Sequence, residues 1–176
     1  MIANEMPTTI LEERAIIDSR ARSLEIFASI TIEAEVWRIL YALSIPEYME
    51  AWLHLPGTER VECHSERRSF DRFRIDMFSS NTKLSSIYGS CLLSKPNRIT
   101  YIWDKNHGGD RSRSVVEIHL LGGYNCCALR LKHRGLTNQE DMEWHSTMWQ
   151  YSLIKLQTLV TPIECGETCR ERDGQA

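Results

Sequence analysis

The stretch EWHSTMWQYSLIKLQTLV, residues 143–160, has the periodicity of an amphipathic helix. Asn138 before two carboxylates is a good helix N-cap, and Pro162 cannot continue a helix. The sequence therefore predicts a closing helix of about 22 residues, about 33 Å long. One face collects Met142, His145, Ser146, Trp149, Ser152, Leu153, Leu156 and Val160 within about 60° of one direction.

This helical stripe is not uniformly apolar, because His145, Ser146 and Ser152 interrupt it. A helix that covers a core usually turns apolar side chains inward and polar ones outward. Polar groups on the inner face therefore indicate a hydrated or ligand-filled space beside the helix. For Trp149 and the leucines of the stripe, core packing is the simpler interpretation.

Length and composition are those of one soluble domain: 176 residues, of which 42% are hydrophobic and 26% charged. A net charge of −3 leaves no basic footprint for nucleic acid. The arginines between Arg60 and Arg74 alternate with acidic residues, which is typical of a solvated strand surface. With no apolar run of 18 residues and no signal-peptide pattern, we expect no membrane insertion and a cytoplasmic location.

The six cysteines are expected to stay reduced in that compartment. Cys63, Cys91, Cys126 and Cys127 fall in strand-like runs, where small buried residues are the simplest interpretation. Adjacent cysteines diverge on a strand, so their spacing does not favour zinc. We therefore expect no metal and no cofactor.

The elements follow the order strand, two short helices, about six strands and the long helix. Helical spacing places Val36, Trp37, Leu40 and Leu43 on one face of a helix over 33–43, and Pro46 starts a second helix. Short connections favour an antiparallel meander, so the fold class is α+β. Alternating hydrophobicity predicts strands at 23–32, 60–65, 69–79, 83–94, 98–104, 113–122 and 125–133.

The chain divides into three predicted segments. Residues 1–22 form an N-terminal extension, either a short helix from Thr9 or an irregular stretch. Residues 23–161 form the domain. Residues 162–176 contain too little apolar surface to fold alone and are predicted to form a flexible tail.

Several motifs resemble those of the START-like helix-grip (SRPBCC) superfamily. TIEAEVW at 31–37 and IPE at 45–47, followed by Trp52, are similar to its opening segments. Over residues 23–160 the chain resembles the branch of the C-terminal domain of the heat-shock-protein ATPase activator. The family's middle and closing patterns are matched by Gly89, Pro96, Tyr101, Trp103, Leu129, Leu131, His133, Gly135, His145, Trp149, Leu153 and Leu156.

The resemblance implies a curved antiparallel sheet wrapped around a long C-terminal helix, with two short helices after the first strand and a cavity between sheet and helix. The chain departs from the family pattern at Phe70-Asp71, where a Gly-Gly pair is common, and at Lys95, where a proline is common. The first departure places bulk and a carboxylate near the usual mouth of the cavity. The family's ligand size is therefore not carried over.

Strand parity extends the candidate site beyond the helix. If the large residues point inward, alternate residues of the strands share one face with the helical stripe. An apolar wall with a few polar groups is typical of a small-molecule site. The predicted ligand-binding residues are Phe73, Ile75, Met77, Tyr101, Trp103, Ile118, Leu129, Leu131, His133, His145, Trp149 and Ser152.

Three functions remain open. The leading prediction is the binding of a small apolar molecule. The second is a cyclase or dehydratase-type enzyme, in which His145 or His133 transfers a proton with Tyr101 or Asp71 as helper. The third is a protein-binding module similar to the chaperone activator.

For the third function, an exposed patch would be needed, and Trp144 with Tyr151, which point away from the stripe, are its candidates. Packing of both rings beneath the N-terminal segment is the simpler interpretation. A protein partner or a homodimer stays open.

Overall fold

The computed structural model of the protein describes residues 16–20, 24–65, 72–107, 110–122 and 125–162. In these residues three helices accompany one antiparallel sheet of eight strands. The elements are β1 Ile16–Arg20, β2 Glu25–Ile32, α1 Val36–Ser44, α2 Pro46–Trp52, β3 Arg60–Ser65, β4 Phe73–Ser79, β5 Thr82–Lys95, β6 Arg98–His107, β7 Asp110–Gly122, β8 Cys127–Arg134 and α3 Gln139–Val160.

The order of strands across the sheet is β1-β2-β8-β7-β6-β5-β4-β3. Strands β3 to β8 form the predicted meander, in which each strand pairs with the next. The long-range pairing of β2 with β8 brings Ile26 opposite His133 and Ile32 opposite Cys127. The predicted α+β helix-grip fold is thus confirmed.

Helix α3 begins and ends where its local signals predict. The side chain of Asn138 accepts a hydrogen bond of 2.8 Å from the backbone N–H of Asp141, which satisfies one of the free donors of the first turn. The helix spans 22 residues and ends two residues before Pro162. Its buried face carries His145, Trp149 and Ser152 together with Leu153, Leu156 and Val160.

Alternation along the strands separates two faces of the sheet. Side chains such as Ile75, Trp103 and Leu131 are buried on the face that packs against α3. Their sequence neighbours Arg74, Asp104 and Lys132 point to the opposite face, which we call the outer face. The core therefore lies between one face of the sheet and the inner face of α3.

The structure corrects three expectations. Residues 16–20 of the N-terminal extension form strand β1, which pairs with β2, whereas residues 1–15 and the tail from 163 lie outside the described residues. On α1 the buried residues are Ile39, Ala42 and Leu43, while Trp37 is 58% exposed. Cys126 precedes β8 and is exposed, because the strand begins at Cys127.

No helix in the described part of the chain is both long and apolar enough to cross a membrane.

Candidate functional site

The predicted ligand-binding residues share the space between the sheet and α3. Strands β4, β6, β7 and β8 turn them inward by alternation, and α3 closes the space from the other side. All of them are buried: Phe73, Ile75, Met77, Tyr101, Trp103, Ile118, Leu129, Leu131, His133, His145, Trp149 and Ser152. That they contact a ligand stays a prediction.

Aromatic rings form the centre of this space. Trp103 of β6 stacks on Trp149 of α3, with ring centroids 5.0 Å apart and planes 17° apart. His133 of β8 presents its edge to Trp103 at 5.4 Å, and His145 of α3 meets His133 edge-on at 4.6 Å. We call these four side chains, Trp103, His133, His145 and Trp149, the aromatic cluster.

Both ring nitrogens of His133 are engaged. The indole Nε1 of Trp149 donates to Nδ1 of His133 at 3.1 Å, and Nε2 of His133 lies 2.8 Å from Oγ of Ser114. Because an indole can only donate, Nδ1 must be unprotonated, so the neutral ring carries its proton on Nε2 and donates it to Ser114. Burial, followed by the nearby His145, lowers the pKa of His133 well below its ordinary value. His133 therefore joins β7, β8 and α3 as a neutral ring.

His145 has a different partner. Its Nδ1 lies 2.8 Å from the backbone carbonyl of Asp141, to which it donates, and 3.4 Å from Oδ1 of the same residue. Asp141 is 7% exposed and also accepts from the backbone N–H of Thr137 at 3.3 Å. From the sequence, Asp141 is one of the two carboxylates that favour the N-terminal end of the helix, and nothing in that role predicts a contact with His145. The spacing of four residues between Asp141 and His145, which places them on one helix face, was the signal available in the sequence.

The other catalytic candidates do not assemble around these histidines. The hydroxyl of Tyr101 donates to the carbonyl of Leu43 at 2.5 Å, and burial raises the pKa of Tyr101 well above its ordinary value. Asp71 lies outside the described residues. Of the predicted residues that the structure describes, only His145 keeps a geometry that fits proton transfer, with the unpredicted Asp141 as its partner, since His133 has no nitrogen left for a substrate.

Ser152 has a structural partner. Its hydroxyl donates to the carbonyl of His54 at 3.1 Å and accepts from the N–H of His54 at 3.0 Å. The contact ties α3 to the segment that follows α2. Ser146, expected on the inner stripe, is half-buried, and its Oγ has no hydrogen-bond partner among the described residues.

One polar atom of the aromatic cluster is unsatisfied. Trp103 is 1% exposed, and its indole Nε1 finds no acceptor among the described residues. A buried donor left without an acceptor costs about 1–3 kcal/mol. A ligand that places a hydrogen-bond acceptor beside this N–H would therefore recover that free energy.

The described residues contain no cluster of metal-binding side chains. Within the described ranges, no group of three His, Cys, Asp or Glu side chains is arranged to hold a metal ion.

Solved structures of similar fold come from several bacteria. A protein of Chromobacterium violaceum is 22% identical, with a TM-score of 0.67, covering 79% of this chain and 98% of that one. One of Arthrobacter aurescens is 11% identical with a TM-score of 0.70, covering 87% and 97%. CalU16 of Micromonospora echinospora is 18% identical with a TM-score of 0.55, covering 84% and 85%. At these identities the likeness concerns the fold.

Comparison of the sequence with family profiles identifies a family as well as a fold. No curated protein matches the sequence. The profile of the family described as "Activator of Hsp90 ATPase homolog 1-like protein" matches residues 33–161, from the turn before α1 to the end of α3. Because the match spans most of the chain, the protein belongs to the Activator of Hsp90 ATPase homolog 1-like family.

Proposed function

We propose that the protein binds a small, largely apolar molecule between the sheet and α3. The observation that carries the proposal is the buried Nε1 of Trp103, which has no hydrogen-bond acceptor among the described residues. The family and the helix-grip fold are consistent with such a site.

The side chains between the sheet and α3 limit which kind of molecule can bind there. The polar atoms of His133, Tyr101 and Ser152 contact protein groups, so few directional contacts are left for a ligand. The ligand therefore has a mostly apolar body and one hydrogen-bond acceptor that faces Trp103.

Native mass spectrometry of freshly purified protein, before and after denaturation, tests the proposal. A stoichiometric apolar compound should be released. Trp103→Phe, which removes the N–H but keeps a ring, should weaken its retention by about tenfold, as the loss of one buried hydrogen bond implies. Trp37→Phe makes the same chemical change on an exposed ring of α1 and should have no effect. A protein that carries no compound and shows no thermal shift with hydrophobic ligands would contradict the proposal.

A second candidate function is the stimulation of an Hsp90-type ATPase. It is favoured by exposed rings on the two short helices, Trp37 at 58%, Tyr41 at 49% and Tyr48 at 39%. The rings of Tyr41 and Tyr48 meet edge-on at 5.1 Å. Large exposed aromatic side chains are frequent anchors of protein interfaces.

An ATPase assay with a purified Hsp90-type chaperone tests this second function. The chain should raise the hydrolysis rate, and Trp37→Ala combined with Tyr41→Ala should abolish most of the increase. Tyr151→Ala is the matched control, because Tyr151 is a 47% exposed ring on α3. If Tyr151→Ala removes the stimulation instead, the contact surface is the one predicted from the sequence. An unchanged hydrolysis rate contradicts this function.

A further inference from the structure

A groove of about 670 Å³ lies along the outer face of the sheet. Its axis is a row of residues that the register pairs in succession across five strands: His64 of β3, Arg74 of β4, Tyr88 of β5, Asp104 of β6 and Arg113 of β7. The residues next to them in sequence, such as Ile75 and Trp103, face the core. Phe73 and Gly89, which belong to the inner face, also line the groove at one end, whereas the row from His64 to Arg113 lies on the opposite side of the sheet from the aromatic cluster.

Cationic side chains dominate this groove. Among the described residues that line it, three are arginines, Arg72, Arg74 and Arg113, and one, Asp104, carries a carboxylate. Nε of Arg113 lies 2.9 Å from Oδ1 of Asp104, whereas Arg72 forms no ion pair with any described residue. A guanidinium held through Nε still presents its terminal N–H groups to a second oxyanion. In a chain with a net charge of −3, this positive groove stands out as a local feature.

A buried carboxylate holds Arg74 in place. Asp76, on the same face, is 2% exposed and lies 3.0 Å from Nε of Arg74 and 3.1 Å from Nζ of Lys83. Ser86 donates to it at 2.6 Å. Burial alone would raise the pKa of Asp76, but the hydrogen bonds from Ser86 and Lys83 and the charge of Arg74 outweigh it and keep the pKa below its ordinary value. The Arg74 guanidinium is thus held near Asp76 by charge, although its buried Nε forms no hydrogen bond with a described residue.

The groove also offers apolar contact surface. Tyr88 is 43% exposed beside Arg74, and Ile102 lines the groove half-buried. A ring can stack on Tyr88 while an attached oxyanion reaches the guanidinium groups. We propose that this outer-face groove binds a small aromatic oxyanion, a carboxylate or a phosphate ester, independently of the interior site.

Calorimetric titration of the full chain with phenyl phosphate, benzoate and inorganic phosphate tests the proposal. At least one aromatic anion should bind saturably with a dissociation constant below about 1 mM, and the stronger of the two identifies the oxyanion. Inorganic phosphate should bind about tenfold more weakly, because it has no ring to stack on Tyr88. Tyr88→Leu should reduce that preference.

Arg113→Gln is the decisive variant, because the side chain is 70% exposed and its loss leaves the core unchanged. It should weaken binding about tenfold through the loss of a charge-assisted contact. Arg130→Gln is the matched control: it makes the same charge change on an exposed arginine of β8, outside the groove.

Three results would overturn the proposal. One is the absence of saturable binding by either aromatic anion. Another is equal weakening by Arg113→Gln and Arg130→Gln, which would indicate general charge attraction. The third is binding that survives Arg113→Gln but disappears in Trp103→Phe, which would place the anion in the interior site instead.

Discussion

At the scale of single residues, His133 decides how the sheet and α3 are joined. One nitrogen accepts from Trp149 of the helix, and the other contacts Ser114 of the neighbouring strand. The contact with Trp149 requires the neutral ring, because a protonated imidazole has no acceptor for the indole N–H. The junction is therefore sensitive to pH.

We predict that stability falls as the medium becomes acidic. The pKa of His133 is lowered in the folded state, chiefly by burial, from the ordinary value of 6.5. Below that pH the unfolded chain takes up a proton that the folded chain does not, so the free energy of unfolding decreases as pH falls. The slope reaches at most about 1.4 kcal/mol per pH unit.

Urea unfolding between about pH 5 and pH 8 measures this slope. His133→Gln should be less stable at neutral pH but should lose most of the slope. Burial also lowers the pKa of the half-buried His54, so His54→Gln serves as the comparison and should keep most of it. An unchanged slope in His133→Gln would refute the assignment.

At the scale of elements, the N-terminus of α3 combines a cap with the site. Asn138 caps the N–H of Asp141, and Asp141 in turn accepts from His145. The first turn of the helix therefore positions one of the two histidines of the aromatic cluster. Because the cap and the site share Asp141, a change at the cap reaches the interior.

Asn138→Ala is expected to lower the free energy of unfolding by about 1 kcal/mol, the usual value of an N-cap side chain. Asn138→Asp, which can accept the same hydrogen bond, should restore most of the loss. Chemical denaturation followed by circular dichroism checks both variants. Equal stability of the alanine and aspartate variants would show that the cap contributes nothing.

Strand β5 carries a glycine for a steric reason. A Cβ atom on Gly89 would lie 2.3 Å from Cζ of Phe73 and 2.9 Å from the backbone oxygen of Ile102. The register pairs Gly89 with Phe73, so the ring of Phe73 occupies the space that a side chain would need. The glycine is thus part of the packing between β4 and β5.

Gly89→Ala should destabilise the protein by about 1–3 kcal/mol, as overpacking of a close contact does. Ser90→Ala, at the next position on the opposite face, should change stability by less than about 0.5 kcal/mol. The thermal midpoints of the two variants provide the comparison. Combining Gly89→Ala with Phe73→Leu should recover part of the lost stability. If stability is not recovered, the destabilisation comes from the contact with the backbone oxygen of Ile102 instead.

At the scale of the whole molecule, strands β1 and β3 form the two edges of the described sheet. Helix α2 lies against β3 at one edge. At the other edge β1 covers β2, whose inward residues Ile26, Ala28, Ile30 and Ile32 are all buried. Without β1, the edge of β2 would expose unpaired backbone N–H and C=O groups, which are a template for pairing with a second chain.

Removal of residues 1–20 should therefore lower the thermal midpoint and increase self-association relative to the full chain. Removal of residues 1–15 leaves β1 in place and is the matched control. Analytical ultracentrifugation over a concentration series measures the association. Identical behaviour of the two truncated proteins would show that β1 does not protect the edge.

Much of the fold follows from local patterns. Alternation predicted β2 to β8, and the Asn138 and Pro162 signals bounded α3, because the period of hydrophobic residues is set by the geometry of each element. Trp37 escaped this reasoning. Its ring lies on a helical face that only the packing of α1 could identify as exposed.

By itself, the sequence determined the order of elements from β2 to α3, the sheet face that carries the core, and the residues between the sheet and α3, but not strand β1. Only the tertiary structure decided the partners of their polar atoms: Ser114 and Trp149 for His133, Asp141 for His145, and no described acceptor for Trp103. The physical reason is range. Periodicity is a property of neighbouring residues, whereas a hydrogen bond depends on distances of a few ångströms between elements far apart in the chain.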